Sequence, residues 1–142
     1  MNIKPLHPNF RMPTRATELS GGFDVYMPEH GRLFPHADFG VMVGLGFSAA
    51  IPEGHVALLL PRSGTGSKQG LELNNTCGVL DADYRGEWKA SLRIKNNAPF
   101  KWDAGERILQ FVIVPVAQVT LNQVDDLDET VRGAGGFGHT GS

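Results

Sequence analysis

Two carboxylates flank one small residue in Gly78-Val79-Leu80-Asp81-Ala82-Asp83-Tyr84-Arg85-Gly86, with a phenol beside them. In an extended chain alternate residues share a face, so Asp81 and Asp83 would act together, binding a metal ion or supplying a general base. An ordinary Asp-rich turn closed by Gly86 would carry the same residues. A second candidate is Pro61-Arg62-Ser63-Gly64-Thr65-Gly66. Its Gly-containing turn exposes N–H groups, and Arg62 and Ser63 add a guanidinium and a hydroxyl. That set would cradle an anion, or would be a polar turn and nothing more. The third lies at the C-terminus, where glycines interleave Arg132, Phe137, His139 and Thr140. A cation, a ring and two donors on such a strip would close over a phosphorylated ligand and exclude water, or would be a free end.

The elements that must hold these residues read as strands. Helical periodicity is nearly absent, and short apolar runs alternate with turn residues. A Gly-punctuated run over residues 39–51 ends at the turn Pro52-Glu53-Gly54, and residues 55–60 form the next strand. Trp88, Ala90, Leu92 and Ile94 alternate with Lys89, Ser91, Arg93 and Lys95, which is a half-buried strand with one wet face. The basic stripe Lys89, Arg93 and Lys95 reads as that solvated face. Residues 108–119 are rich in β-branched side chains, and Pro115 there suggests a bulge or an edge. One short helix fits residues 63–69. Strands at this spacing imply an antiparallel barrel or sandwich.

Composition bounds the rest. The chain has 142 residues, which is one domain's length, and 13 basic against 15 acidic residues give a net charge of −2. A near-neutral chain argues against a nucleic-acid coat protein. The single cysteine, Cys77, reads as a small buried residue in a protein of a reducing, cytoplasmic compartment. The N-terminus has no apolar core of a signal peptide, and the apolar runs at 56–60 and 111–117 are too short to span a bilayer. The histidines have no zinc-ligand spacing. Asp125-Asp126-Leu127-Asp128-Glu129 opens a tail in which five of the last ten residues are Gly, so a mobile arm over 121–142 is expected to follow a barrel over 1–120.

Taken in order, these segments resemble the five motifs of the trimeric dUTP pyrophosphatases, the dUTPases. Ser20-Gly21-Gly22-Phe23-Asp24 looks like the first and Pro61-Arg62-Ser63-Gly64 like the second. The stretch from Gly78 to Gly86 is similar to the third, Gly105-Glu106-Arg107-Ile108-Leu109-Gln110 to the fourth, and Arg132 to Gly141 to the fifth. The resemblance implies an all-β, jelly-roll-like β-barrel, a homotrimer with shared active sites, and Mg²⁺-dependent hydrolysis of dUTP to dUMP and pyrophosphate. Such an activity keeps uracil out of DNA and supplies dUMP for dTMP synthesis. By the same resemblance Asp81 would orient and deprotonate the water that attacks the α-phosphorus. Tyr84 would lie against the deoxyribose and leave no room for a 2′-hydroxyl. Asn75 would read uracil from a hairpin over residues 75–80, with Gly78 letting the backbone approach the base. Arg62, Ser63 and Gly64 would hold the α- and β-phosphates beside Gln110. Arg132, Gly138, His139 and Thr140 would grip the γ-phosphate end, and Phe137 would stack on the uracil. Asp24 would stand near the metal–triphosphate end, through water, or in a supporting contact.

The fifth motif departs from the commoner Phe-Gly-Ser-Thr-Gly in carrying His139, which can still donate to phosphate. Two rivals stand beside this reading. A dCTP deaminase shares the fold but needs an acid on the strand after the third motif, and residues 88–96 hold no Asp or Glu. A regulator acting on a protein partner through its surface would be favoured by a degenerate catalytic set, and every expected residue type is present.

Overall fold

The computed structural model describes residues 1–35 and 40–136. The expectations for Phe39, Phe137, Gly138, His139 and Thr140 lie outside the described residues. Eleven strands run through the described chain: β1 (Asn2–Pro5), β2 (Gly22–Tyr26), β3 (Gly31–Leu33), β4 (Val41–Gly44), β5 (Phe47–Ala50), β6 (His55–Pro61), β7 (Leu71–Leu73), β8 (Gly78–Leu80), β9 (Lys89–Ile94), β10 (Phe100–Trp102) and β11 (Arg107–Pro115). All pairings are antiparallel. A four-stranded sheet runs β2-β11-β6-β8 and a three-stranded sheet β4-β9-β7, with two-stranded ribbons β1-β5 and β10-β3. Together they enclose one apolar core, in line with the antiparallel barrel or sandwich expected from strand spacing and with the jelly-roll-like barrel that the resemblance implies.

The period-2 reading of β9 holds residue by residue. Ala90, Leu92 and Ile94 are buried, whereas Lys89 and Arg93 are exposed. At the head of that strand Trp88 is fully buried against Phe47 at 5.0 Å and edge-on to Phe111 at 5.1 Å. This aromatic cluster joins the two main sheets, because Phe111 belongs to β11 and Trp88 leads into β9.

Three expectations about local structure are corrected. The last strand stops at Pro115 and not at residue 119, because beyond it the backbone has no sheet partner and the side chains are exposed. Pro115 closes β11 opposite His55, and the register shift lies at the other end, between Arg107 and Leu109. The turn residue Gly54 has φ of +72°, the left-handed region that glycine enters without a Cβ clash. The short helix expected at residues 63–69 does form there, as a wide turn over Gly64–Lys68. Cys77 is half-buried rather than buried, its Sγ 3.7 Å from the Leu59 carbonyl. Among the described residues no helix is long and apolar enough to cross a membrane.

Trp88→Ala should lower the unfolding free energy by about 3–5 kcal/mol in a urea titration, because it opens a cavity at the point where both sheets meet.

Candidate active site

The register of three adjacent strands assembles one half of the site. Gln110 on β11 lies opposite Asp24 on β2 and opposite Leu60 on β6. Residues separated by 86 positions in the chain are therefore neighbours across a sheet, and Arg62 follows directly after β6. Asp24 is buried, with 6% of its surface exposed, and both of its carboxylate oxygens are engaged. Arg62 Nε stands 2.8 Å from Oδ1, and Arg107 Nη1 donates to Oδ2 at 3.2 Å. Arg62 also donates from Nη1 to the Arg107 carbonyl at 3.0 Å. The guanidinium of Arg62 is thus oriented by two acceptors before any ligand arrives.

Asp24, expected near the metal–triphosphate end through water or in a supporting contact, is a carboxylate already paired on both oxygens. A cation would have to compete with two arginines there. Among the described residues no group of three or more His, Cys, Asp or Glu side chains is arranged to hold a metal ion.

Ser63 and Gly64 are exposed at the start of the wide turn. Thr65 ties that turn to β11 by donating its hydroxyl to the carbonyls of Arg62 and Ile108 at 2.9 and 2.8 Å. Gln110 donates from Nε2 to the Pro61 carbonyl at 3.2 Å, which fixes it beside the turn. A cavity of about 400 Å³ opens here, lined by Arg62, Thr65, Gln69, Lys101, Glu106 and Arg107 among others. Counting Asp24 behind the two arginines, three cations stand against two carboxylates, which leaves the pocket a net positive charge. Arg107 and Lys101 were not singled out from the sequence as binding residues. The signal for Arg107 was its place in the fourth motif, and Lys101 carried none.

The second half of the site is built on the segment between β7 and β9. Asn75 and Thr76 form the exposed tip of the β7–β8 connection, where the Cys77 amide donates to the Asn75 carbonyl at 2.7 Å. Thr76 has φ of +68°, an unusual conformation for a β-branched residue, and the turn holds it there through an N–H to Leu73. Gly78 pairs with Leu59, and a Cβ at Gly78 would stand 3.0 Å from the Leu59 Cβ.

Strand β8 ends at Leu80, so residues 81–86 form a turn, and the extended geometry that would align Asp81 with Asp83 is absent. The Tyr84 amide closes that turn onto the Asp81 carbonyl at 3.2 Å. The Tyr84 hydroxyl donates to the Glu87 carbonyl at 3.0 Å, and a Cβ at Gly86 would collide with it. Ring and turn are thereby locked together. A cavity of about 350 Å³ brings Asn75, Gly78, Asp81 and Tyr84 together with Met42 and Lys89. Asp81 is exposed on its wall.

The two cavities share no residue. Arg132, in the arm, donates from Nε to the Gly135 carbonyl at 2.8 Å in a local turn and is exposed. The residues expected at the nucleoside end line one cavity, whereas of those expected at the phosphate end only Arg62 lines the other, with Ser63, Gly64 and Gln110 on or beside the adjoining turn.

A match to the dUTPase family covers residues 8–141. The chain is 42% identical over 134 residues to the deoxyuridine 5′-triphosphate nucleotidohydrolase of Haemophilus influenzae strain PittEE, covering 93% of this chain and 88% of that protein. Its fold superposes on the dUTPase of Staphylococcus bacteriophage 80alpha solved with dUpNHpp, with a TM-score of 0.88 and 28% identity over 99% of this chain and 98% of that one. It is also similar to a mutant dUTPase of phage phi11 of S. aureus whose structure describes the coordination of a structural Mg(II) ion. There the TM-score is 0.78 and the identity 26%, over 88% of this chain and 96% of that one. The fold and the paired pockets define a nucleotide-binding β-barrel. The chain belongs to the dUTPase family.

Asp24→Ala should destabilise the fold by about 1–3 kcal/mol in chemical denaturation, since it leaves two half-exposed guanidinium groups without their shared acceptor.

Proposed function

We propose that this chain is a dUTP diphosphatase, which hydrolyses dUTP to dUMP and pyrophosphate by water attack at the α-phosphorus. The observation that carries the mechanism is the nucleoside-sized cavity that brings Asn75, Gly78 and Tyr84 together with the exposed carboxylate Asp81. Its family and the named activity of its relatives support the same reaction.

In this reading the hairpin from Asn75 to Leu80 reads uracil, and Gly78 lets the backbone close on the base edge. A thymine methyl has no space there, and cytosine offers a donor where uracil offers O4, leaving polar groups mismatched. Tyr84, its hydroxyl held by the Glu87 carbonyl, presents a fixed ring to the deoxyribose and excludes a 2′-hydroxyl. Asp81 takes a proton from water as the new O–P bond forms, and the bond from the α-phosphorus to the bridging oxygen breaks to release pyrophosphate. Arg62, held by Asp24, and the turn of Ser63 and Gly64 stabilise charge on the phosphates, with Gln110 beside them.

Arg62 and the nucleoside-end residues Asn75, Gly78 and Tyr84 line different cavities of one chain, which supports a site completed between copies, as in a homotrimer. The arm, residues 121–142, supports it too. Leu121, Leu127 and Val131 are exposed, so their apolar surface gains most by lying on another copy. Arg132, Phe137, Gly138, His139 and Thr140 would then close over the triphosphate and base of a site in that assembly. Mg²⁺ enters with the substrate, on the triphosphate, held mainly through phosphates and waters. The lone half-buried cysteine fits a cytoplasmic enzyme.

Pyrophosphate release from dUTP, UTP, dTTP and dCTP with Mg²⁺ tests the reaction. Release from dUTP alone is expected. Release from none refutes a hydrolase, and ammonia from dCTP would mark a deaminase. Asp81→Asn should keep dUTP binding while kcat falls roughly 10²–10⁴-fold, because shape is retained and the base is lost. A kcat close to that of the unaltered enzyme would remove Asp81 from that role.

A further inference from the structure

The basic stripe on the wet face of β9 divides in the folded chain. Arg93 is neutralised by Glu72, its register partner on β7, with Nη2 and Nε at 3.0 and 3.1 Å from Oε2. Lys95 lies beyond the end of the strand, roughly 20 Å from Lys89 at the rise of an extended chain. Lys89, like Lys95, is exposed and has no carboxylate partner among the described residues, and what sets it apart is its place beside a cavity. Its register partner on β4 is Gly44, which has no side chain to cover it. It lines the cavity that also holds Asn75, Asp81 and Tyr84.

An unpaired ammonium on a flexible four-carbon stem, at the wall of a nucleoside cavity, is a ready partner for an anionic oxygen of the ligand. Asp81 stands on the same wall. Asp81 also borders a second cavity beside His55 and Asp83, but Asn75, Gly78 and Tyr84 assign the nucleoside to the first, so an α-phosphate at Asp81 comes to rest at the edge that Lys89 shares. We infer that Lys89 binds the α-phosphate of the nucleotide. This rests on the dUTP reading given above and adds to it a residue outside the five motifs.

2′-Deoxyuridine and dUMP differ only in the α-phosphate, so the pair isolates the contact. Titration calorimetry with Lys89→Met, which keeps the stem and removes the charge, should show dUMP and dUpNHpp bound about three- to tenfold more weakly, with 2′-deoxyuridine unchanged. Lys89→Arg should recover most of the loss. Equal weakening of all three ligands would mean that Lys89 acts on the base or sugar, and no weakening of any would remove it from the site. Either result overturns the inference while leaving the hydrolase reading intact. An unaltered chain that binds neither dUMP nor dUpNHpp overturns both.

Discussion

Strand β11 is hydrogen-bonded along both edges, and its register against β2 and β6 is the constraint on which the rest of the phosphate-binding half depends. That register sets Gln110 beside Asp24 on one side and beside the end of β6 on the other. A slip of one residue would turn Gln110 into the core and bring Phe111 to the surface, so burial of Phe111 and Leu109 enforces the alignment. The polar residues of the site are positioned by the apolar residues that alternate with them.

On that frame the Asp24 carboxylate performs a task that its residue type does not announce. Buried and shared by Arg62 and Arg107, it holds two guanidinium groups whose like charges would otherwise repel. Both arginines line one pocket, so the carboxylate orients two cations at its wall. A ligand that binds there meets a preorganised guanidinium and loses less free energy to ordering it.

The nucleoside half depends on a different device. Between β8 and β9 the backbone makes a turn locked by the Tyr84 hydroxyl on the Glu87 carbonyl. The preceding connection is held tightly enough to keep Thr76 at positive φ. Rigidity in a segment that recognises a base converts small mismatches into lost binding, since the walls do not relax around the wrong ligand.

Much was legible in the sequence. The alternation in residues 88–95, the turn at Pro52-Glu53-Gly54 and the ordered motifs identified a strand-built barrel and the dUTPase family, because side-chain periodicity and glycine placement are local properties of the chain. Residue types also identified Asp81, Tyr84, Arg62 and Gln110 as candidates. Tertiary structure decided what those residues touch. It paired Asp24 with two arginines, turned Asp81 and Asp83 out of extended alignment, ended the last strand at Pro115, and divided a uniform basic stripe into an ion-paired Arg93 and a free Lys89 beside the cavity. Each of these rests on strand register or long-range contact, which brings together residues far apart in the chain and which no local pattern encodes.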